Sequence, residues 1–187
     1  KDISRVDMEV VEYFIMDVGR IEVVYTGNSV FIGEDAGEDD DFSDNKNVGI
    51  GTNSLEENKG GYENTAVGYN SLANNLNGDQ NTGIGSYALE SALNGSNTAV
   101  GYKAQYNAQN GNNNSSLGHE SLIANTNGDY NSAFGSGSLG AITNKDYNTA
   151  VGALAFATGN YTNSSAFGYN TTISANNQIR LGNTSVS

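Results

Sequence analysis

The sequence predicts an all-β fold: a parallel β-roll, or solenoid, of about ten coils of 17 residues each. Three observations carry this. A short motif, Asn-Ser/Thr-small-apolar-Gly, recurs at nearly constant spacing. The residues within it alternate with the two-residue period of a strand and not with the 3.6-residue period of a helix. Each unit also ends in turn chemistry, and 17 residues are too few for a strand-helix-strand crossover but suit one coil of a stack.

The motif reads Asn64-Thr65-Ala66-Val67-Gly68, then Asn81 to Gly85, Asn97 to Gly101, Asn114 to Gly118, Asn131 to Gly135 and Asn148 to Gly152. Looser copies end at Gly33, Gly51, Gly168 and Gly182, and successive glycines are 18, 17, 17, 16, 17, 17, 17, 16 and 14 residues apart. Four residues after the glycine stands Leu55, Leu72, Leu89, Leu122 or Leu139, with Phe156 in the same column and a small residue just before it. Nine residues after it comes an Asn-Gly pair, at 77–78, 94–95, 110–111 and 127–128. Both residue types tolerate positive φ, so each unit reads as strand, Gly bend, short strand, Asn-Gly turn. The motif glycine marks a second place where a bend is needed or a side chain is forbidden. Ten coils at the ordinary inter-strand spacing would make a rod roughly 45 Å long.

Each coil offers one Val, Ile or Phe and one Leu for a core, the rest being small or polar. Two such side chains offset little of the entropy lost in ordering a whole coil, so the roll is expected to need a partner surface, and its open edges need caps or neighbours. Residues 28–187 form this repeat domain. Residues 1–27 lie outside it. Val11, Phe14, Val18 and Ile21 fit two turns of coiled coil, whereas Gly19 and the β-branched run 21–25 favour a strand; this apolar segment is expected to pack or cap. The stretch after Gly168 is read as the last coil and an exit.

Composition excludes several classes. The 187 residues carry 21 acids against 8 bases, a formal charge of −13, which argues against nucleic acid as a partner. With no Cys there are no disulfides, Cys-based zinc sites or thiol chemistry. No apolar run is long enough for membrane insertion, and no basic segment precedes an apolar one as in a signal peptide. The chain lacks an initiator Met and reads as a fragment or processed product. Hydrophobic residues make up 36% and Asn alone numbers 29, a polar mix that would suggest disorder were the residues not so regularly placed.

An enzyme is not expected. His119 is the single His and follows a motif glycine as a surface residue; no Ser-His-Asp grouping stands out. The Asn column (Asn47, Asn64, Asn81, Asn97, Asn114, Asn131, Asn148) is read as structural, its side chains satisfying turn groups or one another. Tyr69 and Tyr102 directly follow a motif glycine, and Tyr130 and Tyr147 lie just before strands. These four are the candidate ligand-binding rings, suited to stacking on sugars, the alternative being that they cover seams between chains. A discrete receptor site would need non-repeating side chains, such as those within 102–114. The acidic run 34–47 reads first as a solvated loop. Its carboxylates at Asp39, Asp41 and Asp44 are candidate calcium ligands, although the EF-hand pattern fails because position 12 from Asp39 is Ile50. No other cofactor is implied. A regular rank of Thr and Ser (Thr65, Thr82, Thr98, Ser115, Ser132, Thr149, Ser165) leaves ice binding as a minor alternative.

The repeat resembles the head of YadA-like trimeric autotransporter adhesins, whose units carry a Ser-Val-Ala-Ile-Gly core. The match is to Asn-Thr-Ala-Val-Gly at 64–68, 97–101 and 148–152. It more closely resembles the 17-residue repeats of phage tail fibres and of large Bacteroidetes surface proteins, where Asn-Thr-Ala-Val-Gly-Tyr-Asn-Ser-Leu recurs much as 64–72 reads here. Residues 177–187 resemble the stretch upstream of an intramolecular chaperone domain that trims itself from such fibres. The resemblance covers about 28–187. It implies a left-handed roll, three chains side by side as a homotrimer, and attachment to a surface glycan or receptor outside the cell. The expectation is therefore a non-catalytic, trimeric fibre segment of a phage or phage-like tail fibre, with a bacterial adhesin head or a mechanical spacer as the alternatives.

Overall fold

The computed structural model describes residues 28–41 and 43–185, so the strand or coiled coil expected within 1–27 lies outside the described residues. These form ten three-residue strands: β1 (Val30–Ile32), β2 (Val48–Ile50), β3 (Thr65–Val67), β4 (Thr82–Ile84), β5 (Thr98–Val100), β6 (Ser115–Leu117), β7 (Ser132–Phe134), β8 (Thr149–Val151), β9 (Ser165–Phe167) and β10 (Ile179–Leu181). All pair in parallel and in chain order, giving a β-solenoid of about nine turns with no helix among the described residues. Like pairs with like: Thr65 lies over Thr82, Ala66 over Gly83 and Val67 over Ile84.

One coil, 64–80, explains the rest. Asn64 is sealed inside. Thr65 and Val67 point out, and Ala66 between them is fully buried. The chain bends at Gly68, and Ser71, Leu72, Ala73 and Asn75 turn inward from the opposite wall. The core is therefore a stack of Ala or Gly from the strand wall against Leu from the other. This corrects the expected composition of the core. The Val/Ile/Phe column does not enter it, because the roll is thin and leaves room for only a methyl opposite each leucine. Ile84, Leu117, Phe134 and Val151 remain 40–51% exposed.

The second short strand expected in each coil is also absent. Its place is taken by a turn in which Asn70 and Leu72 both have φ of 52°. The leucine column keeps an inter-coil ladder nonetheless: Leu72 N–H donates to the Ala88 carbonyl at 3.0 Å, and Leu122 N–H to Ser138 at 2.9 Å. A left-handed backbone at this column explains its residue types. Leu, Gln and Phe occupy it, whereas Val and Ile fill the strand, because β-branched residues are strongly disfavoured at positive φ.

The Asn-Gly pairs need correction too. Neither Asn77 nor Gly78 has positive φ; that conformation falls two residues later, at Gln80 with φ of 58°. Gly78 is required for close approach instead, since a Cβ there would lie 2.5 Å from the Asn94 carbonyl oxygen of the next coil. The motif glycine meets both demands. Gly101 has φ of 136°, and its Cβ would lie 2.6 Å from the Gly118 carbonyl oxygen.

The core divides in two. Leu55 to Ala108 form one cluster and Leu122 to Ile173 another. Between them Gln105 replaces leucine, fully buried, its amide donating to the Thr98 carbonyl at 2.8 Å and to Ser116 Oγ at 3.1 Å. Its own Oε1 has no partner.

Candidate functional site

The Asn column is a continuous internal ladder. Asn131 N–H donates to Asn114 Oδ1 at 2.8 Å, while Asn114 Nδ2 donates to the Gly128 carbonyl at 2.8 Å. The same pair of bonds repeats at Asn47, Asn64, Asn81 and Asn97. Asn131 donates to the Lys145 carbonyl and accepts from Asn148 N–H. All seven asparagines are fully buried. Only a side chain with donor and acceptor on one short stem joins a strand start to the loop of the next coil in this way. A second rank, Asn58, Asn75 and Asn125, donates to the same glycine carbonyls at 2.9–3.0 Å.

Outside, two surfaces stand out. The first is the outer strand face, where Ile32, Ile50, Val67, Ile84, Val100, Leu117, Phe134, Val151, Phe167 and Leu181 form one rank, flanked by the partly exposed Thr/Ser rank. The hydroxyl rank thus faces outward.

The second lies around the Gly bend of coils β3 to β6. Here the four candidate tyrosines separate into two groups. Tyr69 and Tyr102 join a cluster with Tyr87, Tyr106, Lys103 and His119. Tyr69 meets Tyr87 edge to face at 5.2 Å and Tyr87 meets Tyr102 likewise at 6.1 Å, while His119 stacks on Tyr102 at 5.3 Å. The Lys103 ammonium lies 5.2–5.6 Å from the ring centres of Tyr87, Tyr102 and Tyr106. The Tyr102 phenol beside it holds the Lys103 ammonium above its ordinary pKa. The Glu90 carboxylate beside Tyr106 pushes that phenol up, and burial followed by Tyr69 raises Tyr87. Asn70 Nδ2 donates to Glu90, at 3.2 Å.

Tyr130 and Tyr147 lie elsewhere, in the positive-φ column before the buried asparagines. Their rings stack parallel within 6° at 5.4 Å, each covering a face of the other.

Sequence reasoning missed Tyr87, Tyr106, Lys103 and Glu90 individually, though Lys103 and Tyr106 fall within the non-repeating stretch 102–114. The signal was their departure from the repeat: coils β2 and β8 carry Thr52-Asn53 and Ala153-Leu154 where this cluster has Tyr102-Lys103.

The acidic loop does not assemble a cation site. Asp39 pairs with Lys59 at 3.6 Å. Asp41 accepts from Ser43 N–H at 2.9 Å, and Asp44 accepts from Asn28 at 2.7 Å and faces Lys46 at 3.5 Å. Each carboxylate turns to its own partner, and no group of three or more His, Cys, Asp or Glu among the described residues could hold a metal ion. No helix among them is long and apolar enough to cross a membrane.

Fold and surface together define a parallel β-solenoid with one bare apolar strand face and one aromatic bend. The chain matches no known family model and no curated protein at significance.

Proposed function

We propose that the chain is a non-catalytic segment of a homotrimeric fibre that attaches to a cell surface or receptor outside the cell, as in a phage or phage-like tail fibre. The observation that carries this is the outer strand face. Ten apolar side chains stand in one rank along about 43 Å of rod, at the usual strand spacing. A continuous exposed apolar stripe of that length is costly in water and marks an interaction surface. Repetition makes it self-complementary along its length, so copies of the same chain are suitable partners. The left-handed coil and the three-chain arrangement follow the resemblance of the repeat to adhesin heads and tail fibres. A rod that displays the same groups in three copies gains avidity from weak sites. A bacterial adhesin head or a spacer in a longer surface fibre uses the same architecture.

The test is native mass by light scattering at neutral pH, with and without chelator. A mass near three chains, falling to one in Phe134→Asp, supports the reading; chelator should leave it unchanged. A stable monomer overturns it and moves the outward Thr/Ser rank, and with it ice binding, ahead.

A further inference from the structure

We infer that the bend cluster around Lys103 is a binding site for a neutral, hydroxyl-rich glycan, a proposal that rests on the attachment reading and names its ligand class. The argument runs by what the cluster offers and what it excludes.

The site is built by departure from the repeat. Four consecutive coils contribute Tyr69, Tyr87, the Tyr102, Lys103 and Tyr106 set, and His119, while the corresponding positions near β2 and β8 carry small, polar or aliphatic residues. The coils of β2 and β8 stack without rings at the same positions, with Thr52-Asn53 and Ala153-Leu154 there, so folding does not explain the rings. They span about 15 Å along the rod at the ordinary coil spacing, enough for a short oligosaccharide. Tyr69 and Tyr102 are 45% and 41% exposed, so each ring offers surface to a ligand. They are also held in place before any ligand arrives, by edge-to-face contacts, by the stacking of His119 on Tyr102 and by the Lys103 ammonium against the Tyr87, Tyr102 and Tyr106 rings. A pre-ordered surface loses less entropy on binding.

Charge selects among ligands. A cationic ligand would seek the pocket of π faces, but the Lys103 ammonium already occupies it. An anionic ligand meets one ammonium against two carboxylates, Glu90 and Glu120, on a chain of formal charge −13. What remains is a neutral molecule with one apolar face and many hydroxyls. The C–H face of a sugar ring suits the tyrosine faces. Its hydroxyls find acceptors in Glu90 and Glu120 and a donor in Lys103, which among the described residues has no carboxylate within ion-pairing distance.

The experiment uses the whole chain. Saturation-transfer NMR and calorimetry are run with cellohexaose, mannohexaose and the chitin hexamer as neutral probes, and hexagalacturonate as the charged control. At least one neutral probe should bind, at least tenfold tighter than the uronate. Tyr102→Ala should weaken it about tenfold or more, while Tyr169→Ala, which removes a ring outside the cluster, should leave it unchanged. Absence of binding by all three neutral probes, preference for the uronate, or equal effects of the two variants overturns the proposal. So does a loss of native mass in Tyr102→Ala, which would make the ring a seam residue. Binding of labelled chain to a panel of whole bacterial and animal cells separates the two readings. Adhesion that survives Tyr102→Ala refutes the glycan site and leaves attachment standing. A chain that adheres to no cell in the panel counts against attachment, and the sugar titration then decides the site alone.

Discussion

Ala99 and Val100 are neighbours in β5, yet the alanine is fully sealed and the valine keeps part of its surface in water. The same split runs through all the central strands. Inside, a methyl meets a leucine and an asparagine ladder; outside, a larger apolar side chain stacks only with its like in the neighbouring coils and leaves the rest of its surface bare. The difference teaches that size is limited on the inner wall by the close return of the coil, and that bulk is carried on the outer wall where another surface can use it. Hydrophobicity alone does not mark the inside of this molecule. Volume does.

That contrast is open to experiment. The largest effect is expected at Asn114→Leu, which leaves the Asn131 N–H without its acceptor inside the wall and takes one of two donors from both the Gly128 carbonyl and Asn97 Oδ1. Chemical denaturation should show a loss of about 2–4 kcal/mol, as for one buried donor left unpaired and two further hydrogen bonds removed. Next comes the pair within β5. Ala99→Val overfills the inner wall and should cost about 1–3 kcal/mol, whereas Val100→Ala should stay within about 0.5 kcal/mol in the isolated chain. Equal losses from the two would refute the inner and outer assignment. A smaller, opposite effect is expected where polarity enters the core. Gln105→Leu combined with Ser116→Ala restores the repeat and removes the unpaired Oε1, and should stabilise by about 1 kcal/mol in the same denaturation assay.

The smallest effect is one of pH, in the acidic first coil. Burial, then Glu38 and its acidic neighbours, raises the Glu56 carboxyl above 4.5, so its charge opposes folding at neutral pH and protonation relieves this. Asp41 is held below 3.8 chiefly by its hydrogen bonds with Ser43, and Asp44 by that from Asn28. Their stabilisation is present above 3.8 and is lost as pH falls through their lowered values. Calorimetric melting should therefore rise slightly as pH falls from neutral toward 4.5 and decline below about 3.8. A steady fall from pH 7 downward would refute the Glu56 part.

Much of the solenoid was legible in the sequence. The spacing of Gly68, Gly85 and Gly101 gave the coil length, and Thr65-Ala66-Val67 gave the strand and its alternation. The direction of that alternation was not legible, because Ala66 and Val67 are both apolar and a linear pattern does not say which faces a gap one methyl wide. Leu72 looked like part of a strand for a similar reason: its left-handed φ leaves no mark except the absence of β-branched residues in its column. Of the candidate site, Tyr69 and Tyr102 were visible because they follow the motif glycine. Tyr87, Tyr106 and Glu90 were not, since they sit at different offsets in different coils and meet only when the coils stack. Asp39, Asp41 and Asp44 illustrate the reverse, a cluster in sequence whose members each turn to a separate partner, Lys59, Ser43 and Asn28.

By itself, the sequence determined the repeat, the strand period and the columns of Asn and Gly, because these depend on local geometry and on copies stacking like upon like. Only the tertiary structure decided which wall each column faces, why Gly78 must lack a side chain and how Lys103 comes to lie among three rings. Those outcomes depend on distances between coils, and residues 17 apart in the chain become neighbours only when one coil closes on the next.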